Sequence, residues 1–402
     1  MTDVDDDRYV GRQIRMYRRI RGYTQQYLAD ALDISRTAVT MYETGVRPVD
    51  SRELLYGLAE LLQVSVGDLT GHADDKVDPR MAVLHAAIPS IESALMSAGD
   101  VDDCSAPAPL DQLVTDAQRA LSLRAASDYS GLGALLPRLI NDLFRHTRSS
   151  DRGNHEETWR ALNEAAFSAA LATKALGYTS LAWLAARAAT DAAAMTERPI
   201  TLAAAGYARS QVLLATPGAV TAALSTSTRT ADELQDRLRS PAELEMYGML
   251  HLQAALASAA IGKDPASHLG EADDVAVHGG DGRAFELSFC RANVTIWRMS
   301  VALEQRRAGE AVELARAVQP QSIPTTDRRS RFFIELGRAH AIEGDYRASM
   351  SALLRAEHLA PQKARSHAVV RELVGHMLRN ARRELVTGDL GRLAKRIGAT
   401  TN

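Results

Sequence analysis

The sequence predicts an all-α protein, and three observations lead to this prediction. Of its 402 residues, 46% are hydrophobic but only 5% are aromatic. Alanine is very abundant, and alanine is the best helix former, whereas strands favour branched and aromatic side chains. Apolar residues also recur at helical spacing along most of the chain. A chain of this length is too long for a single core, so we expect two or three domains.

Residues 1–71 predict a small domain of five helices. Thr24 and Ser35 stand at N-cap positions before the second and third helices. Asp50 and Glu53 have the spacing of a capping box for the fourth helix, and Ser65 repeats that pattern before a short fifth helix. The first four helices are expected at residues 7–20, 25–32, 35–44 and 50–62.

Charge is distributed unevenly along the chain. The formal net charge of −3 does not by itself indicate a nucleic-acid partner. Residues 8–48, however, contain eight arginines and three acids, a local balance of +5. This segment predicts a basic face of the kind that binds nucleic acid, and the alternative is an arginine-rich helix that is merely solvated.

The segment GYTQQYLADALDISRTAVTMYETGVRP, residues 22–48, combines two short helices with a tight turn. Leu28, Ala29 and Leu32 are spaced to face a core, and Asp33 stands in the turn where glycine is common. This segment resembles the Xre or phage-repressor type of helix-turn-helix. The resemblance implies a five-helix, lambda-repressor-like DNA-binding domain whose third helix enters the major groove.

The resemblance also implies which residues contact double-stranded DNA. The N-terminal residues of the third helix face base edges, where an arginine can donate two hydrogen bonds to guanine and a methionine can touch a thymine methyl. The expected base contacts are Arg36, Thr37, Thr40 and Met41. The expected phosphate contacts are Thr24, Gln25, Ser35 and Arg47. Arg18 and Glu43 stand where the family often has an ion pair between the first and third helices.

Residues 72–110 predict a linker that contains a connector helix. Polar residues, prolines and small residues dominate its two ends, as is typical of linkers. The connector helix is expected at residues 82–96 and to be broken or bent at Pro89. The chain has two cysteines, Cys104 in this linker and Cys290, and neither has metal-ligand or redox spacing.

Residues 111–402 predict a stack of helix pairs, an α-solenoid. Turns are expected at residues 131–133, 177–178, 217–218, 262–265, 309 and 344–345. The segment from Phe332 to Pro361 resembles a tetratricopeptide repeat (TPR), with Gly344 in its turn. Gly177 takes the same position in a weaker copy, 167 residues earlier, which is close to five repeats of about 34 residues. We therefore expect a TPR-like domain. Its size, nearly three hundred residues, is more than dimerisation alone requires, so we also expect it to sense a signal.

Two stripes of side chains at four-residue spacing are candidates for a ligand groove in this domain. One contains Tyr247 and His251, and the other contains Phe289, Asn293 and Trp297. The alternative is that the aromatic rings are ordinary core between repeats and the polar groups bind within the protein. Weaker candidates are Asn163, Arg209 and Gln211.

Several functional classes are not supported by the sequence. It contains no uncharged apolar stretch of about 18 residues, so no membrane span is expected, and its acidic start is unlike a secretory signal. HEETW at His155 lacks the second histidine of a zinc-protease helix, and no phosphate-binding glycine loop or nucleophile elbow is present. We expect a cytoplasmic protein that is not an enzyme and needs no metal or cofactor.

The whole arrangement resembles actinobacterial regulators that join an Xre-type domain to a TPR-like region, and peptide-pheromone receptors of the same plan. The resemblance implies a homodimer that binds an inverted-repeat operator and regulates transcription. Its effector would be a peptide, a small molecule or a protein. The alternative is a protein-interaction scaffold whose DNA binding is weak or non-specific.

Overall fold

The computed structural model describes residues 9–64, 68–69, 79–100, 106–148, 155–278, 282–380 and 389–397. Within these ranges the protein is helical, and its β-structure is limited to an isolated bridge between Gly282 and Phe289. The predicted all-α fold is confirmed. The N-terminal domain contains α1 Tyr9–Ile20, α2 Gln25–Ala31, α3 Arg36–Glu43 and α4 Arg52–Leu62.

The N-terminal domain has a hydrophobic core of its own. Ile14, Leu28 and Leu62 are fully buried in this core. Leu69 is helical and fully buried there too, although residues 65–67 and 70 of the predicted fifth helix lie outside the described part of the chain. Helix α1 approaches the end of α3 so closely that a Cβ atom on Gly11 would lie 2.4 Å from the Tyr42 carbonyl oxygen. Glycine therefore allows the two helices to meet.

Side-chain caps begin the helices of this domain. Thr24 and Ser35 cap α2 and α3 as predicted, each accepting a hydrogen bond from a backbone N–H three residues later at 3.0 Å. The predicted cap of α4 at Asp50 is wrong, because Ser51 accepts the hydrogen bond from the Leu54 N–H at 3.1 Å. The backbone carbonyl oxygen of Asp50 instead accepts a hydrogen bond from Arg338 of the helical body.

The connector helix, α5 Pro79–Ser97, is longer than predicted. It continues through Pro89, so the break expected there is wrong. Ile88, Ile91 and Leu95 on this helix are buried in the same core as the helices that follow. The C-terminal end of the predicted linker includes residues 101–105, which lie outside the described ranges together with Cys104.

The helical body consists of α5 and the helices that follow. Their bounds are α6 Leu110–Ala125, α7 Tyr129–Thr147, α8 His155–Ala175, α9 Thr179–Thr196, α10 Pro199–Leu213, α11 Val220–Gln235, α12 Pro241–Ala260, α13 Ala266–His278, α14 Arg291–Glu304, α15 Ala308–Arg316, α16 Thr326–Ile342, α17 Tyr346–Leu359, α18 Pro361–Ser366, α19 Ala368–Asn380 and α20 Asp389–Arg396. None of the described helices is long and apolar enough to cross a membrane.

Successive helices of the body pack in pairs, and the pairs stack as in a repeat protein. Each even-numbered helix from α6 to α14 also contacts the next even-numbered helix. The even-numbered helices from α6 to α16 therefore form one continuous inner layer. The predicted repeat at residues 332–361 forms the pair α16 and α17, and a Cβ atom on Gly337 would lie 2.7 Å from Leu353 Cδ2. Gly177 and Gly344 occupy equivalent turns with φ of +90° and +81°. A helical, repeat-like body is therefore confirmed.

Two of the predicted turns are wrong. Residues 131–133 lie inside α7 and residue 309 lies inside α15. The Asp128 carboxylate accepts a hydrogen bond from the Gly131 N–H at 2.9 Å, which begins α7 ahead of the glycines. Glycine weakens a helix but does not prevent one when the cap and the packing favour it.

The N-terminal domain contacts the helical body directly. Arg338 of α16 donates a hydrogen bond from its guanidinium to the Asp50 carbonyl oxygen at 3.1 Å. The Glu60 carboxylate lies against Gly218, and Ala368 packs on the core of the N-terminal domain. Arg338 is only 1% exposed and pairs with Glu335 at 2.7 Å and Glu304 at 3.5 Å. A buried charged cluster of the body thus meets the loop between α3 and α4.

Candidate nucleic-acid interface

Helix α3 presents one face to solvent and the other to the core. Val39, Tyr42 and Glu43 are buried. The side chains predicted to contact base edges are all exposed, namely Arg36, Thr37, Thr40 and Met41. The exposed face is short and polar except for Met41, as suits a helix that inserts into the major groove.

Glu43 holds the exposed helix in place from the buried side of α3. The predicted pair with Arg18 is present: Arg18 Nε donates to one carboxylate oxygen, and its terminal nitrogen donates to the other at 3.1 Å. A further nitrogen of Arg18 donates to the Tyr23 carbonyl oxygen at 2.9 Å. The ion pair therefore ties α1 to α3 and fixes the orientation of the exposed face.

Gln25 connects this ion pair to the exposed face. Its Nε2 donates to Glu43 at 2.8 Å, and its Oε1 accepts from Thr40 Oγ1 at 3.4 Å. Thr40 Oγ1 also lies 3.1 Å from the Arg36 carbonyl oxygen, so its single hydrogen has two neighbouring acceptors. The amide of Gln25 is thereby oriented at the start of α2, beside two of the side chains predicted to face bases.

The four residues predicted to contact phosphates surround α3. The hydroxyl groups of Thr24 and Ser35 accept capping bonds and are exposed, so their O–H groups can still donate. The exposed guanidinium of Arg47 lies over the Tyr42 ring, 5.5 Å from its centroid. Stacking on this buried ring restricts the Arg47 side chain just after α3 ends.

An open concavity brings several of these residues together. It has Thr24, Gln25 and Arg36 in its lining, together with Arg18, Tyr23 and Gln26. Gln26 was not among the predicted contacts, although it is exposed at the start of α2 and donates to Asp30 at 2.7 Å. In the sequence, only its position directly after Gln25 indicated that Gln26 would lie at this surface.

The first candidate stripe for a ligand, Tyr247 and His251, lies on α12 facing α13. Tyr247 Oη donates to Glu271 at 3.3 Å, and His251 Nδ1 lies 3.1 Å from His268 Nδ1. Burial, followed by the neighbouring His268, lowers the pKa of His251 to about 4. His251 is therefore neutral near pH 7, and one of the two Nδ1 atoms donates a hydrogen bond to the other.

In the second candidate stripe, two residues make contacts within the protein core and the third lines a cavity. Phe289 is 1% exposed and its ring covers Gly248. Asn293 is fully buried and donates to the carbonyl oxygens of Leu287 and Ser288 at 3.2 and 3.0 Å. Trp297 lines a cavity of the helical body. The structure does not bring the two stripes together at this cavity.

The weaker candidates make different contacts. Asn163 is buried and donates to the Ala189 carbonyl oxygen at 2.8 Å, while Arg209 stacks on Trp183. Gln211 lines the same cavity as Trp297 and accepts a hydrogen bond from Lys174 Nζ at 2.7 Å. No group of His, Cys, Asp and Glu side chains able to hold a metal ion occurs in the described ranges.

Residues 14–69 match the helix-turn-helix family. The N-terminal domain therefore contains a helix-turn-helix, as its sequence predicts. Among solved structures, the chain is similar to Bacillus thuringiensis PlcR in complex with the peptide PapR7 and DNA, with 11% identity and a TM-score of 0.31 over 84% of this chain and 98% of that one. No curated protein matches the chain.

Proposed function

We propose that this protein is a cytoplasmic, sequence-specific transcription regulator that binds an inverted-repeat operator as a homodimer and responds to a signal through its helical body. The helix-turn-helix carries the DNA-binding part of the proposal. The single most important observation is the exposed face of α3, where Arg36, Thr37, Thr40 and Met41 are free of core packing while Glu43 fixes the helix from behind.

Two physical arguments support a dimer. A single small domain of this type covers too little of the groove for tight specific binding, and two-fold proteins bind two half-sites about one helical turn apart. The helical body is several times larger than the DNA-binding domain and is the part available for self-association. An inverted repeat is the operator that such symmetry requires.

The contact between the two domains supports a response to a signal. Arg338 binds the Asp50 carbonyl oxygen directly between α3 and α4, so a rearrangement of the charged cluster in the body reaches the DNA-binding domain. Coupling free energies between such sites are typically about 1 to 3 kcal/mol, which would change operator affinity roughly 5- to 150-fold.

Replacing Arg36 by alanine tests the proposed base contacts. We expect Arg36→Ala to lose about 1 to 3 kcal/mol of discrimination at one base pair of each half-site, because a bidentate contact to guanine is lost. Binding to operator duplexes with single base-pair changes, measured by fluorescence anisotropy, gives the discrimination at each position.

Arg47→Ala is the matched control. Arg47 stands outside α3 and is expected to contact phosphate, so its loss should weaken specific and random DNA about equally and reduce the salt dependence. If Arg36→Ala behaves in the same way as Arg47→Ala, or retains the discrimination of the parent, Arg36 does not contact bases.

A further inference from the structure

A cavity lies at the centre of the helical body, inside its inner layer of helices. The even-numbered helices from α6 to α16 all contribute to its lining. Its volume is about 90 Å³. A single water molecule needs about 10 to 15 Å³ of such space, so the cavity has room for a compact group of several heavy atoms.

The body closes on itself around this cavity. Gln362, at the start of α18, accepts a hydrogen bond from the Tyr129 N–H at 2.9 Å and donates to Ser130 Oγ at 2.8 Å. These contacts join the last inner helices to the first pair, α6 and α7. An enclosed cavity of this kind suits a small ligand better than a long extended chain.

The cavity has a large excess of positive charge. Five cationic side chains line it against a single carboxylate, that of Asp327. The cations are Arg124, Lys174, Arg328, Arg331 and Lys363. Each ion taken out of water costs free energy unless opposite charge lies close to it. A multiply charged anion would balance this set.

Asp327 is already shared between two of the cations. Lys363 Nζ donates to its carboxylate at 2.6 Å, and Arg328 Nε lies 3.0 Å from its other oxygen. Burial lowers the pKa of Lys363 to about 8, with Arg328 and Arg331 adding to this effect and Asp327 opposing it. Asp327 thus balances only part of the group, and Glu335 outside the lining pairs with Arg331.

Arg124 and Trp297 each keep a buried donor without a partner. Arg124 is 4% exposed, and two bonds to the carbonyl oxygens of Phe285 and Glu286 hold one end of its guanidinium while Nε has no acceptor. Trp297 is 6% exposed, and its Nε1 is likewise without an acceptor. Unsatisfied buried donors are rare, and both of these side chains line the cavity.

The rest of the lining is aromatic and aliphatic. Tyr129, Tyr207 and Trp297 provide rings, and Leu171, Leu256 and Ile296 provide aliphatic surface. The cationic residues and the apolar residues thus line the same cavity. We propose that this cavity binds a phosphorylated small molecule, with its phosphoryl oxygens among Arg124, Lys174, Arg328 and Lys363 and its apolar part against Trp297 and its neighbours.

The site also has a route to the DNA-binding domain, and this part of the inference depends on the proposed function. Arg331 lines the cavity and forms an ion pair with Glu335, one turn further along α16. Glu335 also pairs with Arg338, which binds the Asp50 carbonyl oxygen. An anion bound to Arg331 competes with Glu335 for the Arg331 guanidinium. This competition changes how strongly the Glu335 carboxylate pairs with Arg338.

Titration calorimetry of the full chain with sodium pyrophosphate, at fixed ionic strength and without DNA, tests the site. We expect saturable binding of one pyrophosphate per chain. Lys174→Gln and Arg328→Gln should each weaken it about tenfold or more, because a charge-assisted hydrogen bond is lost. Lys263→Gln makes the same change at an exposed position outside the cavity and should leave the affinity unchanged.

A second readout keeps the test decisive if both cavity variants fail to fold. Pyrophosphate should change the tryptophan fluorescence of the parent protein, and Trp297→Phe should remove that change. The site is refuted if no saturable binding is found, if Lys263→Gln weakens binding as much as the cavity variants, or if acetate binds as tightly as pyrophosphate. Because DNA is absent, these outcomes are independent of whether the protein binds an operator.

Discussion

We expect a fragment of residues 1–71 to bind the operator about 100- to 10,000-fold more weakly than the full chain. In a dimer, binding of the first DNA-binding domain makes binding of the second intramolecular, and avidity gains of this size follow without any new contact. The fragment lacks the helical body and so loses that advantage. Fluorescence anisotropy on an inverted-repeat duplex, at one salt concentration, measures the two affinities.

The fragment must be folded for this comparison to count. Its core is its own, with Ile14, Leu28, Leu62 and Leu69 fully buried, so circular dichroism should show a cooperative thermal transition. A duplex that carries a single half-site is the matched control, because fragment and full chain should bind it with similar affinity. Equal affinities for the complete inverted repeat would contradict the proposed dimer.

We expect Arg338→Ala to lower the free energy of unfolding of the full chain by about 3 to 5 kcal/mol. The variant leaves the buried carboxylates of Glu304 and Glu335 without their shared partner, although Arg331 still pairs with Glu335. It also removes the hydrogen bond to Asp50. Chemical denaturation followed by circular dichroism measures the change.

Arg316→Ala controls for the loss of an arginine from the same body. Arg316 is exposed and pairs with Glu313 at 2.7 Å on the surface, where such pairs contribute about 0 to 1 kcal/mol. Replacing Arg338 by methionine together with Glu304→Gln should recover much of the lost stability, since Glu335 still pairs with Arg331 and Glu304 no longer carries a charge. If Arg338→Ala is no more harmful than Arg316→Ala, the charged cluster does not hold this region together.

Local interactions made the N-terminal domain predictable in detail. The caps Thr24 and Ser35 follow from residue type and spacing. Asp33, in the turn where glycine is common, has a left-handed conformation with φ of +49°, which aspartate tolerates better than most residues. The pair between Arg18 and Glu43 was expected from the resemblance and is present. The cap of α4 was misplaced by one residue, at Asp50.

The helical body was predictable as an architecture but not as a site. Its helix pairs follow from periodicity, and its turns at Gly177 and Gly344 follow from glycine. The cavity could not be foreseen, because its cations come from helices far apart in the chain and have no common spacing. The stripe of Phe289, Asn293 and Trp297 was visible, but helical spacing is the same for core packing, for a buried hydrogen bond and for a cavity wall.

The central claim is that this protein reads a DNA sequence, and selection from a pool of random duplexes by the full chain tests it most directly. The selected duplexes should share an inverted repeat with half-sites about one helical turn apart, and unrelated DNA should compete poorly for it at physiological salt. Specific sites are typically bound about 10³- to 10⁷-fold more tightly than random DNA. The account is contradicted if no sequence is enriched and unrelated DNA competes as well as any selected duplex.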